Sequence, residues 1–356
     1  MAKKTTLAIL IAFLTFFLFV PFLSYNKYKA ALKAECFRHL ITTRDVLKHE
    51  IWNYFNDRYG DIDVLSRNPV ISKGFIRLSG AFHAYGIDGP QFQKVKSIYQ
   101  PLMEYYVADY GYANIFFIER DGSVIFSALR EDFSGTDLFI GEFKDHHIAH
   151  IFKLALEDVS FEDYSWNDKV NDFTAYFAAP VFEAESLLGV IVIELPFAHL
   201  DDILTHKAGL GKTGEMYLVG DDGLMRSNSR FSVKPTVLLK EVDTVATREA
   251  FEGYVGTRIC PDYRGVPVLS AYTPLNLNFI NWALLVDMEV AEAFASIIEV
   301  ESLLKIIASI IGTITIGYIY FTRRSYKRAE EEHDILEPEE QSEEQSEEQS
   351  EEQSEA

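Results

Sequence analysis

The 356-residue chain carries 33 Lys and Arg against 54 Asp and Glu, a formal net charge of −21. The imbalance is local: from Ala329 onward there are 14 acidic residues and no Lys or Arg, which leaves 33 against 40, or −7, for the rest. No basic stripe is present, which argues against a nucleic acid partner, and 48% hydrophobic with 14% aromatic residues is enough for two cores. Two cysteines, Cys36 and Cys260, are too few for a disulfide framework or a four-ligand zinc site. They could bridge to each other outside the cytoplasm, with two unpaired buried thiols as the plainer reading.

Behind Lys3 and Lys4, residues Leu7 to Leu23 form seventeen nearly continuous apolar positions. No A-x-A site follows, and Cys36 stands after Glu35 rather than after a small residue, so the run reads as an uncleaved anchor and not as a signal peptide. Leu32, Cys36, Leu40, Leu47, Ile51, Phe55 and Ile62 then recur near multiples of 3.6. That spacing predicts one amphipathic helix of about forty residues, reaching roughly 50 Å or more from a membrane. Gly80 to Pro90 reads as a loop and Phe92 to Asp109 as a helix kinked at Pro101.

Two stretches then repeat one design. In ANIFFIERDGSVIFSA the runs Ile115 to Ile118 and Val124 to Phe126 flank Asp121 and Gly122; in GEMYLVGDDGLMRSNS the runs Met216 to Val219 and Leu224 to Ser227 flank Asp222 and Gly223. Asp-Gly supplies the positive φ of a tight hairpin. Each hairpin is followed by a second strand pair with a proline in its first strand, Pro180 and Pro274. This predicts an internal duplication of one α+β unit, with a short helix over Ala198 to Ala208 between the copies.

Leu303 to Phe321 is a second apolar run, followed by Arg323, Arg324, Lys327 and Arg328. Both charge asymmetries put the termini in the cytoplasm and residues 24–302 outside it. Lys305 lies where it can snorkel. The last 28 residues include four copies of EEQS without an apolar face, predicting a disordered tail and no cytoplasmic domain of any size.

The segments YGYANIFFIERDGSVIFSALREDFSGTDL, AYFAAPVF, GVIVIELP, GLGKTGEMYLVGDDGLMRSNSRF and YRGVPVLSAYTPL, ending in NWALLVDMEVAEAF, together resemble double Cache (dCache) sensor domains. These are the extracytoplasmic ligand-binding parts of many bacterial chemoreceptors, sensor kinases and cyclases. The resemblance implies an α+β fold: two tandem PAS-like (Cache) modules on a long N-terminal helix, flanked by two transmembrane helices. The expected layout is 1–6 cytoplasmic, 7–23 transmembrane, 24–200 long helix plus membrane-distal module, 201–302 membrane-proximal module, 303–321 transmembrane, and 322–356 a basic then acidic tail. It further implies a two-pass inner-membrane sensor, not an enzyme, with a small polar or cationic metabolite as ligand and no cofactor. A kinase or chemoreceptor in the membrane would be its effector, and a homodimer is compatible with the layout. A non-signalling remnant of a longer receptor and a ligand-free surface module are the alternatives.

Amino-acid-sensing members carry an R-x-W-Y type motif after the distal hairpin, whose Arg holds the ligand carboxylate. Here that stretch reads DLFIGEFKDHHIAHIF, with neither Arg nor Trp, so an α-amino acid is not the expected ligand. By the same resemblance Glu194 matches an Asp that binds the ligand amine, and Tyr164 an upstream Tyr. From its position at the end of an apolar run Glu194 should be half buried, which fits a ligand cation or a structural pair with a protein Lys or Arg equally well. Arg130, Asp132, Tyr164, Trp166 and Tyr176 lie near the hairpin or the strand opposite, where an aromatic pocket would form. His146, His147 and His150 form H-H-x-x-H, which would put the first and last on one helix face; no Glu base or third ligand is near, and a solvated face is the plainer reading. GLGKTG matches G-x-G-x-x-G, but a strand follows it where a nucleotide site needs a helix. No metal site is expected.

Overall fold

The computed structural model describes the backbone of residues 2–205 and 209–354, and side chains at 16, 23–205 and 209–328. It separates into two units, Lys33–Ala293, and Met1–Leu32 with Phe294–Ala356.

Helix α1 runs Ala2–Ser66. Leu40, Leu47, Ile51, Phe55, Ile62 and Leu65, three, four or seven apart, are buried, so one stripe faces the core as the sequence predicts. α2 (Pro69–Tyr85) is capped by the Asn68 side chain, which accepts from the Val70 amide, and opens on Pro69. It runs through Gly80, so the expected loop shrinks to the residues between α2 and α3 (Pro90–Tyr110): a single glycine within a long apolar pattern does not stop a helix.

The first sheet has the order β2-β1-β5-β4-β3, all antiparallel, from β1 (Asn114–Glu119), β2 (Val124–Ser127), β3 (Ser160–Asn167), β4 (Asp172–Glu183) and β5 (Ser186–Pro196). One face packs on α4 (His147–Leu154) through Phe116, Phe133, Phe143, Ile148, Phe152 and Tyr176. On the other, Phe75 of α2 stacks on Phe117 with centroids 5.6 Å apart. Gly189 in β5 permits that approach, since a Cβ there would come 2.1 Å from the Ile118 carbonyl and 2.5 Å from the Phe75 ring.

α5 (Phe197–Thr205) leads to the second sheet, of order β6-β9-β8-β7: β6 (Glu215–Gly220), β7 (Gly256–Pro261), β8 (Pro267–Pro274) and β9 (Trp282–Glu289), covered by α6 (Val245–Phe251). The duplication is visible in the register. Glu194 is paired with Tyr176 on one side and Asn114 on the other; Asp287 is paired with Ser270 and Glu215. The second hairpin departs from the first. Leu224 to Ser227 forms no ladder strand, only isolated bridges from Met225 to Val219 and from Leu224 to Glu241. Its backbone still bonds β6, from the Arg226 amide to the Leu218 carbonyl (2.8 Å), and on its outer side the following loop, from the Met225 amide to the Lys240 carbonyl (3.0 Å).

Both modules hold α1. Arg44 donates to the carbonyls of Gly256 (3.1 Å) and Tyr272 (3.3 Å), while Arg58 donates to the Tyr110 carbonyl (3.1 Å). Between the sheets lies an aromatic cluster of Phe55, Phe161, Phe177, Phe279 and Trp282. Asp163 accepts there from Arg226 Nε (3.0 Å) and Trp282 Nε1 (3.1 Å), tying β3 to the second module.

In the other unit, Ala295–Arg328 of helix α7 (Ala295–Ser354) is, among the described residues, the one helix long and apolar enough to cross a membrane; it contains the expected span 303–321. Lys305 pairs there with Glu301 at 2.8 Å. The side chains of 7–23 lie almost wholly outside the described residues, and with them the first of the two expected spans. The EEQS repeats, expected to be disordered, continue as helical backbone to Ser354. Glu and Gln are good helix formers even where no face is apolar. Cys36 and Cys260 are both free thiols.

Candidate ligand-binding site

The first sheet encloses a polar site under α4. Glu194 is fully buried, not half buried, because β5 is an inner strand with β1 on one side and β4 on the other. Its Oε1 accepts from Asn167 Nδ2 (3.0 Å) and the Tyr176 hydroxyl (3.1 Å); Asn167 and Thr174 also bond the Tyr176 oxygen, each at 3.1 Å. Its Oε2 meets Nη2 of Arg130 in an ion pair. The Arg130 guanidinium also lies over the rings of Phe133 (5.1 Å) and Phe116 (5.6 Å).

This cation is underused. Arg130 Nε and Nη1 are buried without a hydrogen-bond partner, while Nη2 and Glu194 Oε2 have only each other. A guanidinium offers five N–H donors in a planar fork, and leaving them unmet in a buried site is costly. Burial lowers the Arg130 pKa, opposed by the nearby Tyr176 and Asp132. Burial also raises the Tyr176 phenol and lowers the His146 imidazole, so both stay neutral around the charged pair.

Of the residues expected at the site, Glu194, Tyr176 and Arg130 come together. Asp132 lies on the exposed turn Glu131–Phe133, close enough for its charge to favour the Arg130 cation. Tyr164 and Trp166 lie elsewhere. Tyr164 packs with Phe197 and Trp282, its hydroxyl 3.5 Å from the Pro196 carbonyl, and Trp166 is 46% exposed with Nε1 on Asp168. The cause is a bulge: Glu162 pairs with Tyr176 but Ser165 with Thr174, so Asp163 and Tyr164 together oppose one residue and both turn to the far face. After the bulge Asn167 returns to the pocket face. Asn167 and Thr174 were not expected at the site; counting alternate residues back from Tyr176 would have found Thr174.

The H-H-x-x-H motif is divided. His146 is the N-cap of α4, its Nδ1 accepting from the Ile148 amide, while His147 and His150 both bond Glu162, at 2.9 and 2.5 Å. Among the described residues no group of three His, Cys, Asp or Glu is placed to hold a metal.

Two antiparallel sheets on one long helix, with a buried charged cluster inside the first, make a tandem α+β architecture. The Cache domain family model dCache_1 matches residues 26–297, and the chain belongs to that family. Similar solved structures include the ligand-binding domain of the Pseudomonas aeruginosa PAO1 amino acid chemoreceptor PctB in complex with L-Gln. It is 13% identical, covering 72% of this chain and 93% of that one, with a TM-score of 0.50. The ligand-binding domain of the Campylobacter jejuni chemoreceptor Tlp3 with 4-methylisoleucine is 10% identical, covering 74% and 94%, with a TM-score of 0.51. The sensory domain of Tlp3 with isoleucine gives 10%, 74%, 97% and 0.50. At such identities the likeness is one of fold. No curated protein sequence matches the chain.

Proposed function

We propose that the chain is a membrane-anchored extracytoplasmic sensor whose distal module binds a small, charged, polar metabolite between Arg130 and Glu194. The observation that carries this reading is the buried guanidinium with Nε and Nη1 unmet, facing a buried carboxylate whose Oε2 has Nη2 of that guanidinium as its one partner. A ligand with an oxyanion for Arg130 and an ammonium for Glu194 would satisfy both and replace their direct contact. The missing R-x-W-Y motif argued against an amino acid, but Arg130 can serve the same carboxylate from the end of the hairpin. Zwitterions therefore belong in the ligand class, alongside simple amines. The amino acid chemoreceptor domains with the same fold lend support to this class.

Spans at 7–23 and 303–321 would hold both termini in the cytoplasm, and a kinase or chemoreceptor in the membrane would receive the signal. A ligand that binds the separated Arg130 and Glu194 better than the paired arrangement shifts the population between them, and Asp163 carries that shift to the second module. The test is a thermal-shift screen of the detergent-solubilised chain against amino acids, amines and carboxylates. A stabilising compound should lose its effect in Glu194→Gln and in Arg130→Gln. A hit unaffected by both changes would place the ligand elsewhere.

A further inference from the structure

A second concave site lies away from the Arg130–Glu194 pair, where α1 and α3 run side by side. It is a groove of about 390 Å³ lined by Asp57, Gly60 and Asp61 of α1 and by Tyr106, Tyr110 and Tyr112 at the end of α3. The α1 residues fall on one helix face at spacings of three to four, and Tyr106 and Tyr110 are one turn apart, so the two helices present these side chains to the same space. Gly60 keeps the floor open: a Cβ there would meet nothing within 4 Å.

The walls are aromatic and the charge is negative. Tyr106 and Tyr110 have centroids 5.6 Å apart, Tyr110 and Tyr112 5.8 Å. The groove already shows what these rings accept, since the Arg58 guanidinium lies over Tyr112 (5.7 Å) and Tyr54 (4.9 Å). Arg58 also pairs with Asp61 (3.5 Å), whose Oδ2 takes the Tyr112 hydroxyl at 2.7 Å. That accounts for one cation and one carboxylate. Asp57 has no ion-pair partner among the described residues, and no Lys or Arg there lies over Tyr106 or Tyr110. One negative charge and two ring faces are left in a cavity of metabolite size.

We propose that this groove binds a small organic cation, its ammonium group held against the Tyr106 and Tyr110 faces and the Asp57 carboxylate. Aromatic faces attract a weakly hydrated ammonium through their quadrupole, and a neighbouring carboxylate selects for net charge. A strongly hydrated metal cation gains less from rings and would need more oxygen ligands than the groove supplies. Primary and quaternary ammonium ions share this chemistry, and two probes separate them.

The experiment is isothermal titration of the full chain in detergent with choline and with putrescine, against sodium chloride at matched ionic strength. Saturable binding of at least one is expected, weakened roughly tenfold by Asp57→Asn and by Tyr110→Ala. Tyr106→Phe keeps the ring face and should retain affinity. Asp57 and Tyr110 are exposed, and Asp57→Asn preserves shape, so loss of fold does not confuse the result. The proposal fails if neither probe binds saturably or if both groove variants bind as the parent does.

Discussion

The two modules place a buried carboxylate at the same point of the same sheet and then treat it in opposite ways. Glu194 lies on β5 between Tyr176 and Asn114; Asp287 lies on β9 between Ser270 and Glu215. Eight residues after the turn glycine Gly122 comes Arg130, which reaches Glu194; eight after Gly223 comes Phe231. Phe231 instead takes the Arg264 guanidinium on its face at 3.8 Å, and Arg264 pairs with Asp262 and Glu289. Asp287 is left with the Tyr217 hydroxyl at 2.8 Å, and burial pushes its carboxyl up to about 7. A duplicated backbone position thus gives a cation–carboxylate pair in one copy and a protonatable acid in the other, and one side chain at the end of the hairpin decides which.

The largest expected effect comes from breaking the distal pair. Glu194→Ala leaves the Arg130 cation buried without a counter-charge, which should destabilise the distal module by about 3–5 kcal/mol in urea unfolding. Removing both charges together, as Arg130→Met with Glu194→Leu, should cost far less, because most of the penalty belongs to the orphaned charge. If the double variant is as unstable as the single one, packing and not charge dominates the site.

Much of this frame can be read from the chain and some of it cannot. The 3.6-residue recurrence from Leu40 to Ile62 predicts α1, and the two Asp-Gly turns with their following strand pairs predict two copies of one unit. Glu194 at the end of an apolar run predicts a carboxylate needing a partner, and Arg130 is near enough to supply it. The bulge at Asp163 and Tyr164 is what misleads. A period-2 reading puts Tyr164 on the same face as Tyr176, and one extra residue reverses it, taking Tyr164 and Trp166 out of the pocket and bringing in Asn167. A bulge is settled by the fit of β3 against β4 and the second module, a long-range matter that no local pattern records. Leu224–Ser227 departs from the local pattern in a similar way, since on its outer side it bonds Leu238 and Lys240 of the loop that follows and not a neighbouring strand.

The second test sharpens the contrast from the proximal side. With its folded pKa raised to about 7 from an ordinary 3.8, Asp287 keeps a proton that the unfolded chain has already lost. Its contribution to stability is therefore full below about 3.8, declines as pH rises through the window, and is gone above about 7. Asp287→Asn removes this dependence. Relative to the parent, the variant should gain about 2–4 kcal/mol between pH 4 and pH 8. A pH-independent difference between the two proteins would mean that Asp287 is ionised throughout, with a cation or donor supplied from elsewhere.

The smallest effect is expected at the rim of the distal sheet, where Glu162 bonds His147 and His150 of α4. Burial works to raise the Glu162 carboxyl, but the hydrogen bonds from the two histidines outweigh it and hold it below the ordinary range. The sign is opposite to that of Asp287: stability from Glu162 is present above its unfolded value and is lost as pH falls through the lower folded one. The histidine side chains are 46% and 62% exposed, so solvent screens the pair and Glu162→Gln should cost only about 0.5–1 kcal/mol near pH 6. That cost should shrink further in high salt, which screens exposed charges. A loss of several kcal/mol, unchanged by pH or salt, would show instead that Glu162 fixes the edge strand mechanically, and that the rim, like the Arg130–Glu194 pair, is part of the closed core.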